Sequence, residues 1–88
     1  MTSDEVLRIV RDAARFGLLR FTRHARIQMQ KRGAEVPDVE NACVTARTAE
    51  HQRDDVWKLA GGVDLEGDLL VVIAAVDPGE VSVITITG

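Results

Sequence analysis

A continuous apolar run from Leu69 to Val76 constrains the fold of this chain more than any other feature. Asp68 and Asp77 bound the run, which in this context is too short for a buried helix. The tetrapeptide Asp77-Pro78-Gly79-Glu80 follows, with proline and glycine at the second and third positions of a tight turn. We therefore predict that residues 69–76 form the central strand of a sheet and turn directly into a strand over residues 81–87.

Neighbouring segments of the C-terminal half also have the composition of strands. Residues 48–52 and 56–60 are separated by the polar turn Arg53-Asp54-Asp55, and Gly61-Gly62 ends the second segment. These segments predict an antiparallel sheet of about four strands. In the last strand, which is rich in β-branched residues, alternation is expected to place Val81, Val83 and Thr85 on one face and Ser82, Ile84 and Ile86 on the other.

The N-terminal half shows helical periodicity instead. Thr2 and Glu5 have the spacing of a capping box, and apolar residues then recur at helical intervals over residues 3–16. Gly17 is placed to end this helix in a left-handed conformation. The link over residues 18–21 is predicted to be either a short strand or an extended connection.

Two further helices are predicted before the sheet. One covers about residues 23–32 and ends at Gly33, and the other spans residues 37–44 with Pro37 in its first turn. Separate helices and strands in 88 residues predict a single α+β domain over residues 1–88, with two or three helices packed on one face of the sheet. The positions expected to be buried on these two helices are Ala25, Ile27, Met29, Val39, Ala42 and Cys43.

Composition narrows the class of function. Cys43 is the single cysteine and has no disulfide partner, and neither histidine has thiols or carboxylates at ligand spacing. We therefore expect no metal, no cofactor and a reducing, cytoplasmic environment. No apolar run is long enough to cross a bilayer, so no membrane association is expected. Aromatic residues are few, which argues against stacking of several nucleic-acid bases.

The charge distribution is strongly asymmetric. Residues 1–34 hold eight Lys or Arg against three acids, a balance of +5, whereas residues 35–88 hold three against eleven, a balance of −8. No acid lies between Ala13 and Ala34. This local positive field favours a local anionic ligand, although a solvated helix face paired with the acidic half would have the same composition. The cations of the acid-free stretch are Arg15, Arg20, Arg23, Arg26, Lys31 and Arg32.

Within this stretch, Thr22 is a candidate helix cap that places His24 in the first turn of the second helix. Unpaired N–H groups and the helix dipole favour an anion there. Gln28 and Arg32 follow at intervals of four and share a helix face with His24. The pattern therefore predicts a phosphate-binding site.

Together these segments resemble the DUF4258 family, small bacterial proteins placed with RelE-like ribonuclease toxins of the barnase, EndoU, colicin and RelE (BECR) group. The resemblance rests on Phe21-Thr22-Arg23-His24-Ala25, Met29 with Arg32-Gly33, Asp38-Val39, the apolar strand ending at Asp77, and the final Val83-Ile84-Thr85-Ile86. It implies a helix pair on an antiparallel sheet, RNA cleavage, and a neighbouring antitoxin of the zinc-ribbon type as partner. In the family pattern an arginine commonly occupies the position of Gln28.

Metal-independent RNA cleavage needs a base for the 2′-hydroxyl proton and a group that stabilises charge on the phosphate. His24 is the candidate acid/base, because a helix N-terminus favours neutral imidazole. Arg32 is the candidate that stabilises the phosphate, and Thr85 is an additional catalytic candidate. The expected phosphate or RNA contacts are Arg23, Arg26, Gln28, Lys31 and Lys58.

Structural explanations compete with each of these roles. The His24 ring could bond a backbone carbonyl, and Arg32 could bond the last helix carbonyls or pair with Asp38 or Glu40. His51 is expected to be a surface residue. Two other functions stay open: a noncatalytic relative that binds RNA or protein, and an assembly domain that forms a homo-oligomer.

Overall fold

The computed structural model describes all 88 residues as three helices and five strands. The helices precede most of the sheet in sequence, and the two halves divide near Ala46. The elements are α1 (Ser3–Arg15), β1 (Arg20–Phe21), α2 (Arg23–Arg32), α3 (Val36–Thr45), β2 (Thr48–Arg53), β3 (Val56–Ala60), β4 (Val71–Asp77) and β5 (Glu80–Thr87).

The sheet has the order β1-β5-β4-β3-β2, with β4 at its centre as predicted. Strands β2 to β5 are antiparallel neighbours. The sheet has five strands instead of about four, because the segment predicted as either a short strand or an extended connection contains a strand, in which Arg20 and Phe21 pair in parallel with Ser82 and Val83. The sheet is therefore mixed and five-stranded. A two-residue strand has no periodicity of its own, so only its distant partner reveals it.

All three helices contribute to one hydrophobic core on a single face of the sheet, which confirms the predicted α+β layering. Successive strand residues point to opposite faces, so Val72, Ala74 and Val76 of β4 enter the core. Val71, Ile73 and Ala75 point the other way and are only half-buried. We call this second, helix-free face the open face.

A bulge in β5 corrects the predicted alternation of the last strand. Ile73 pairs with Thr85, whereas the next residue, Ala74, pairs with Val83, so Ile84 is an extra residue in β5. Beyond the bulge, each side chain of β5 points to the face of the sheet opposite to the one that simple alternation predicts. Ile86, not Thr85, therefore joins Val83 in the core. Thr85 lies on the open face beside Ile73.

The helix boundaries follow local chemistry closely. The Thr2–Glu5 capping box is present in α1, and Gly17 and Gly33 adopt φ values of 69° and 67° after α1 and α2. The buried stripe of α3 is the predicted one. Ile27 is an exception, because its side chain is 41% exposed on α2 instead of buried.

Cys43 lies in the core on α3 and has no polar partner. Burial, reinforced by the charge of Glu40, raises the pKa of its thiol to about 12 from an ordinary value near 9. The thiol is therefore protonated and inert in the folded protein.

No helix of the protein has the combined length and apolar character that a membrane span requires.

We predict that Cys43 resists alkylation at pH 8 until the protein unfolds. The unfolded thiol ionises near pH 9 and the folded thiol near 12, so the unfolded state binds fewer protons across that interval. Stability should therefore be unaffected by Cys43 below pH 9 and fall above it. Labelling by a thiol reagent, with and without denaturant, measures the first effect, and denaturant melts from pH 8 to about 10.5 measure the second. Labelling at equal rates in both states would contradict this account.

We also predict that Gly62→Ala destabilises the fold by about 2–4 kcal/mol. A Cβ at position 62 would overlap the backbone carbonyl of Ala42, so α3 and the segment after β3 would have to separate. Gly79→Ala is the matched control, since its Cβ would meet only the Asp77 carboxylate at an ordinary 3.7 Å. Urea unfolding compares the two variants, and equal free energies of unfolding would contradict the close approach.

Candidate functional site

Thr22 joins the edge of the sheet to the start of α2. Its N–H donates to the carbonyl of Val83 at 3.0 Å, and its hydroxyl donates to the carbonyl of Ile84 at 3.1 Å. The same hydroxyl oxygen accepts the N–H of Ala25 at 3.1 Å, as expected of the predicted helix cap. The first turn of α2, which contains His24, therefore lies beside the bulge of β5.

From this junction α2 runs alongside the second half of β5. At the far end of the helix the guanidinium of Arg32 lies against Gly88, where an added Cβ would overlap it. The lengths agree, because ten helical residues span about 15 Å and the four steps from Ile84 to Gly88 span about 14 Å. The helix and the strand thus form one continuous edge.

The two sides of α2 face different parts of the molecule. Ala25 and Met29 form the buried stripe. On one side of it, the guanidinium carbon of Arg26 lies 5.5 Å from the ring centroid of Phe21, a geometry typical of a cation–π contact. Phe21 pairs with Val83, a core residue, so this side of α2 follows the helix-covered face of the sheet.

We infer that residues on the other side of the buried stripe point toward the open face of the sheet, because Arg26 and Phe21 lie on the helix-covered side. Successive helical residues are separated by about 100°, which places His24, Gln28 and Arg32 opposite Arg26 across the stripe. We call these three residues the α2 flank. Gln28 is half-buried, and the other two are exposed. The sequence-based prediction that they share one face is consistent with this geometry.

Neither structural explanation for His24 and Arg32 is present. The His24 ring makes no hydrogen bond, and Arg32 makes no ion pair and bonds no helix carbonyl. Asp38 instead caps α3 by accepting the N–H of Glu35 at 2.9 Å, and it accepts the N–H of Leu65 at 3.1 Å. Both side chains are therefore available to an external ligand.

A row of side chains crosses the open face from β2 to β5. Glu50 pairs with Lys58, Lys58 with Ile73, and Ile73 with Thr85. Neighbouring strands are about 4.8 Å apart, so Lys58 and Thr85 are separated by about 10 Å. Thr85 follows Ile84, to which Thr22 is bonded, and therefore lies at the α2 edge. The row connects the α2 flank to the centre of the sheet.

The structure thus groups some predicted site residues and separates others. Thr85 is near the α2 flank, and Lys58 is two strands farther into the open face. Arg26 is engaged with Phe21 on the opposite side of the helix. Arg23 and Lys31 are exposed along the solvent side of α2. Of these residues, only Thr85 and Lys58 therefore extend the surface formed by the α2 flank.

The charge of α2 is not neutralised within the molecule. The protein has two side-chain ion pairs, Arg20–Glu80 at 3.0 Å and Arg53–Asp54 at 3.9 Å, and neither involves α2. The helix contains no acid. Its unpaired cations and the free N–H groups of its first turn make this edge attractive to phosphate. The protein has no group of His, Cys, Asp or Glu residues arranged to hold a metal ion.

Two features of the surface were not predicted from the sequence. The first is that Glu50 lies opposite Lys58 in the sheet. The pairing of β2 with β3 across the turn after residue 52 could have indicated this. The other is a pair of clefts, of about 250 Å³ beside Phe16 and about 460 Å³ beside His51, both lined by residues outside the α2 flank. The surface around His24 is consequently shallow and open to solvent.

Comparison with known proteins gives one similarity, in the part of the chain that contains this site. No curated protein and no solved structure is significantly similar to the chain. Residues 21–87 match a family model described as domain of unknown function (DUF4258). The match begins one residue before Thr22, includes α2, and ends with β5, so it covers most of the chain. The chain therefore belongs to the DUF4258 family.

Proposed function

We propose that this protein is a metal-independent endoribonuclease of the toxin type that acts at the α2 flank and the adjoining open face. The observation that carries the proposal is His24, an exposed histidine without a hydrogen-bond partner in the first turn of a helix whose cations are unpaired. A histidine in this setting can exchange protons, and the surrounding charge attracts the polyanionic substrate.

The proposed reaction is intramolecular transesterification of RNA. His24 acts as the general base and takes the proton of the 2′-hydroxyl, and the 2′-oxygen attacks the adjacent phosphorus. The bond to the 5′-oxygen breaks, and this oxygen takes a proton from solvent, because no second strong acid lies beside His24. The products are a 2′,3′-cyclic phosphate and a 5′-hydroxyl end. DNA lacks the nucleophile and should bind without being cleaved.

Arg32 is too far along the helix to share the scissile phosphate with His24. Eight residues separate the two positions, which corresponds to about 12 Å along the axis. We therefore assign Arg32 to a neighbouring phosphate, held through its planar guanidinium. Thr85 and Lys58 extend the contact across the open face, and Gln28 supplies an amide between His24 and Arg32. In this arrangement the substrate follows the α2–β5 edge.

A relationship to RelE-like toxins is part of the same proposal. It is supported by the placement of all helices on one face of a mainly antiparallel sheet, which leaves the other face free for a ligand. A protein antitoxin in the bacterial cytoplasm would then be the partner that restrains the activity. It would have to cover His24 to do so.

A noncatalytic RNA-binding role is the second candidate. One observation favours it: neither cleft of the protein surrounds His24. The departure from the family pattern, which implies an arginine at the position of Gln28, supports the same role. A shallow surface positions phosphates without excluding water from the reacting atoms. Binding without cleavage would separate this function from the first.

We predict that His24→Ala lowers the rate of RNA cleavage by about 10²–10⁴-fold, because it removes the proton-transfer group. Wild type and variant would each be incubated with an end-labelled RNA in a buffer that contains a metal chelator. The RNA fragments would then be separated, and those with cyclic-phosphate ends identified. His51→Ala is the control, since it removes the other histidine at the distant β2–β3 turn. Its rate should equal that of wild type. Equal cleavage by wild type and His24→Ala would reject the catalytic role.

Arg32→Ala should weaken RNA binding by about 3–10-fold and leave the folded state intact, because Arg32 is exposed and makes no internal ion pair. The loss of one phosphate contact should also lower the slope of log K against log salt by about 0.7. Fluorescence anisotropy over a salt series measures both quantities. The control is Arg53→Ala, which removes an exposed arginine at the β2–β3 turn. Equal effects of the two substitutions would show that charge alone, not the α2 flank, governs binding.

A further inference from the structure

A second surface lies at the opposite end of β5 from Arg32. It is a cleft of about 250 Å³ between the C-terminal half of α1 and the turn that joins β4 to β5. Phe16 and Leu18 lie at this cleft and are 74% and 66% exposed. Phe16 is the more exposed of the two phenylalanines, and Leu18 is among the most exposed leucines. The remaining apolar lining consists of Ile9, Ala13, Pro78 and Val81.

The backbone holds Phe16 and Leu18 in place. The N–H of Phe16 donates to the carbonyl of Asp12 at 3.1 Å, and the N–H of Leu18 donates to the carbonyl of Ala13 at 2.8 Å. Gly17 provides the left-handed residue that this helix ending requires. The two apolar side chains are therefore presented to solvent by an ordered segment. Such preorganisation lowers the entropic cost of docking.

The charges around the cleft are balanced. Arg8 and Asp12 are four residues apart on α1 and line the cleft. Glu80 lines it from the other side and is paired with Arg20 at 3.0 Å. Arg20 does not line the cleft, but together with its partner Glu80, and with Arg8 and Asp12, it brings two cations and two acids to the cleft and its immediate surroundings. A two-fold axis brings the same patch of two subunits together and can place each cation near an acid of the other subunit. A strongly acidic or basic partner would find like charges here.

We propose that a second copy of this chain docks on the cleft, with Phe16 of each subunit inserted between α1 and the β4–β5 turn of the other. The cleft is smaller and more open than a typical small-molecule pocket, which encloses about 300–1,000 Å³, but it has room for an aromatic ring. The protruding side chain and the cleft are contiguous, as an isologous interface requires.

The sheet edges offer poorer surfaces for self-association. Strand β1 has only two residues, and β2 is polar and bulged between His51 and Arg53, features that discourage edge-to-edge pairing. The cleft is also at the Asp77–Glu80 end of the sheet, whereas Thr22 and Arg32 contact the end from Ile84 to Gly88. Dimerisation through the cleft therefore leaves the α2 flank free, and this inference does not depend on RNA cleavage.

Sedimentation equilibrium tests the dimer directly. An interface centred on one small cleft should bury less than the standard of about 800 Å² per partner, so we expect reversible association with a dissociation constant between about 10 µM and 1 mM. Phe16→Ser and Leu18→Ser should each raise the dissociation constant at least about tenfold, by removing an anchor. Leu65→Ser is the matched control, because Leu65 is 64% exposed and lies outside the cleft. Thermal unfolding of all three variants should match wild type, since the replaced side chains are exposed.

The charge rim is tested separately. Arg8→Asp and Asp12→Arg should each weaken the dimer, and the double variant should restore it by exchanging the two signs. Wild type that remains monomeric at about 1 mM would overturn the proposal and leave the cleft to a different protein segment. So would an equal loss of association in Phe16→Ser and Leu65→Ser, or single charge variants that dimerise as well as wild type.

Discussion

The arrangement of the candidate site depends on the hydrogen bonds of one residue, Thr22. Its N–H continues the pairing of the edge strand with Val83, and its hydroxyl both binds the carbonyl of Ile84 and caps α2. A strand thereby ends and a helix begins within a single residue. Because the bonded carbonyls belong to the bulge of β5, the position of His24 is fixed relative to Thr85 as well as to the helix.

The features of the fold that could be predicted are those with local causes. Thr2, Thr22, Gly17 and Gly33 marked the helix boundaries because caps and left-handed endings require particular residues. The parallel pairing of β1 was not predictable, since it depends on contact with residues about 60 positions away. The bulge at Ile84 was missed for a related reason. The extra residue becomes apparent only from the register in which β5 pairs with its partner strand β4.

For the candidate site, the sequence predicts which residues share a helix face, but not where that face lies in the fold. The shared face of His24, Gln28 and Arg32 follows from helical spacing, and it is consistent with the structure. Which side of α2 turns toward the open face could not be predicted, because it depends on how Ala25 and Met29 pack into the core of the folded protein. A cationic stretch in sequence is therefore divided by the fold. Arg26 stabilises the helix-covered side, while the α2 flank remains available to a ligand.

The central claim is that the α2 flank and the open face together form the functional surface. Titrating isotope-labelled protein with 2′-O-methyl RNA, which keeps the phosphates but lacks the nucleophile, tests it most directly by NMR. We expect chemical-shift changes in the first turn of α2, at Thr85 and at Lys58, with little change in α1 and α3. Shift changes confined to α1 and α3, or none at millimolar RNA, would contradict the account.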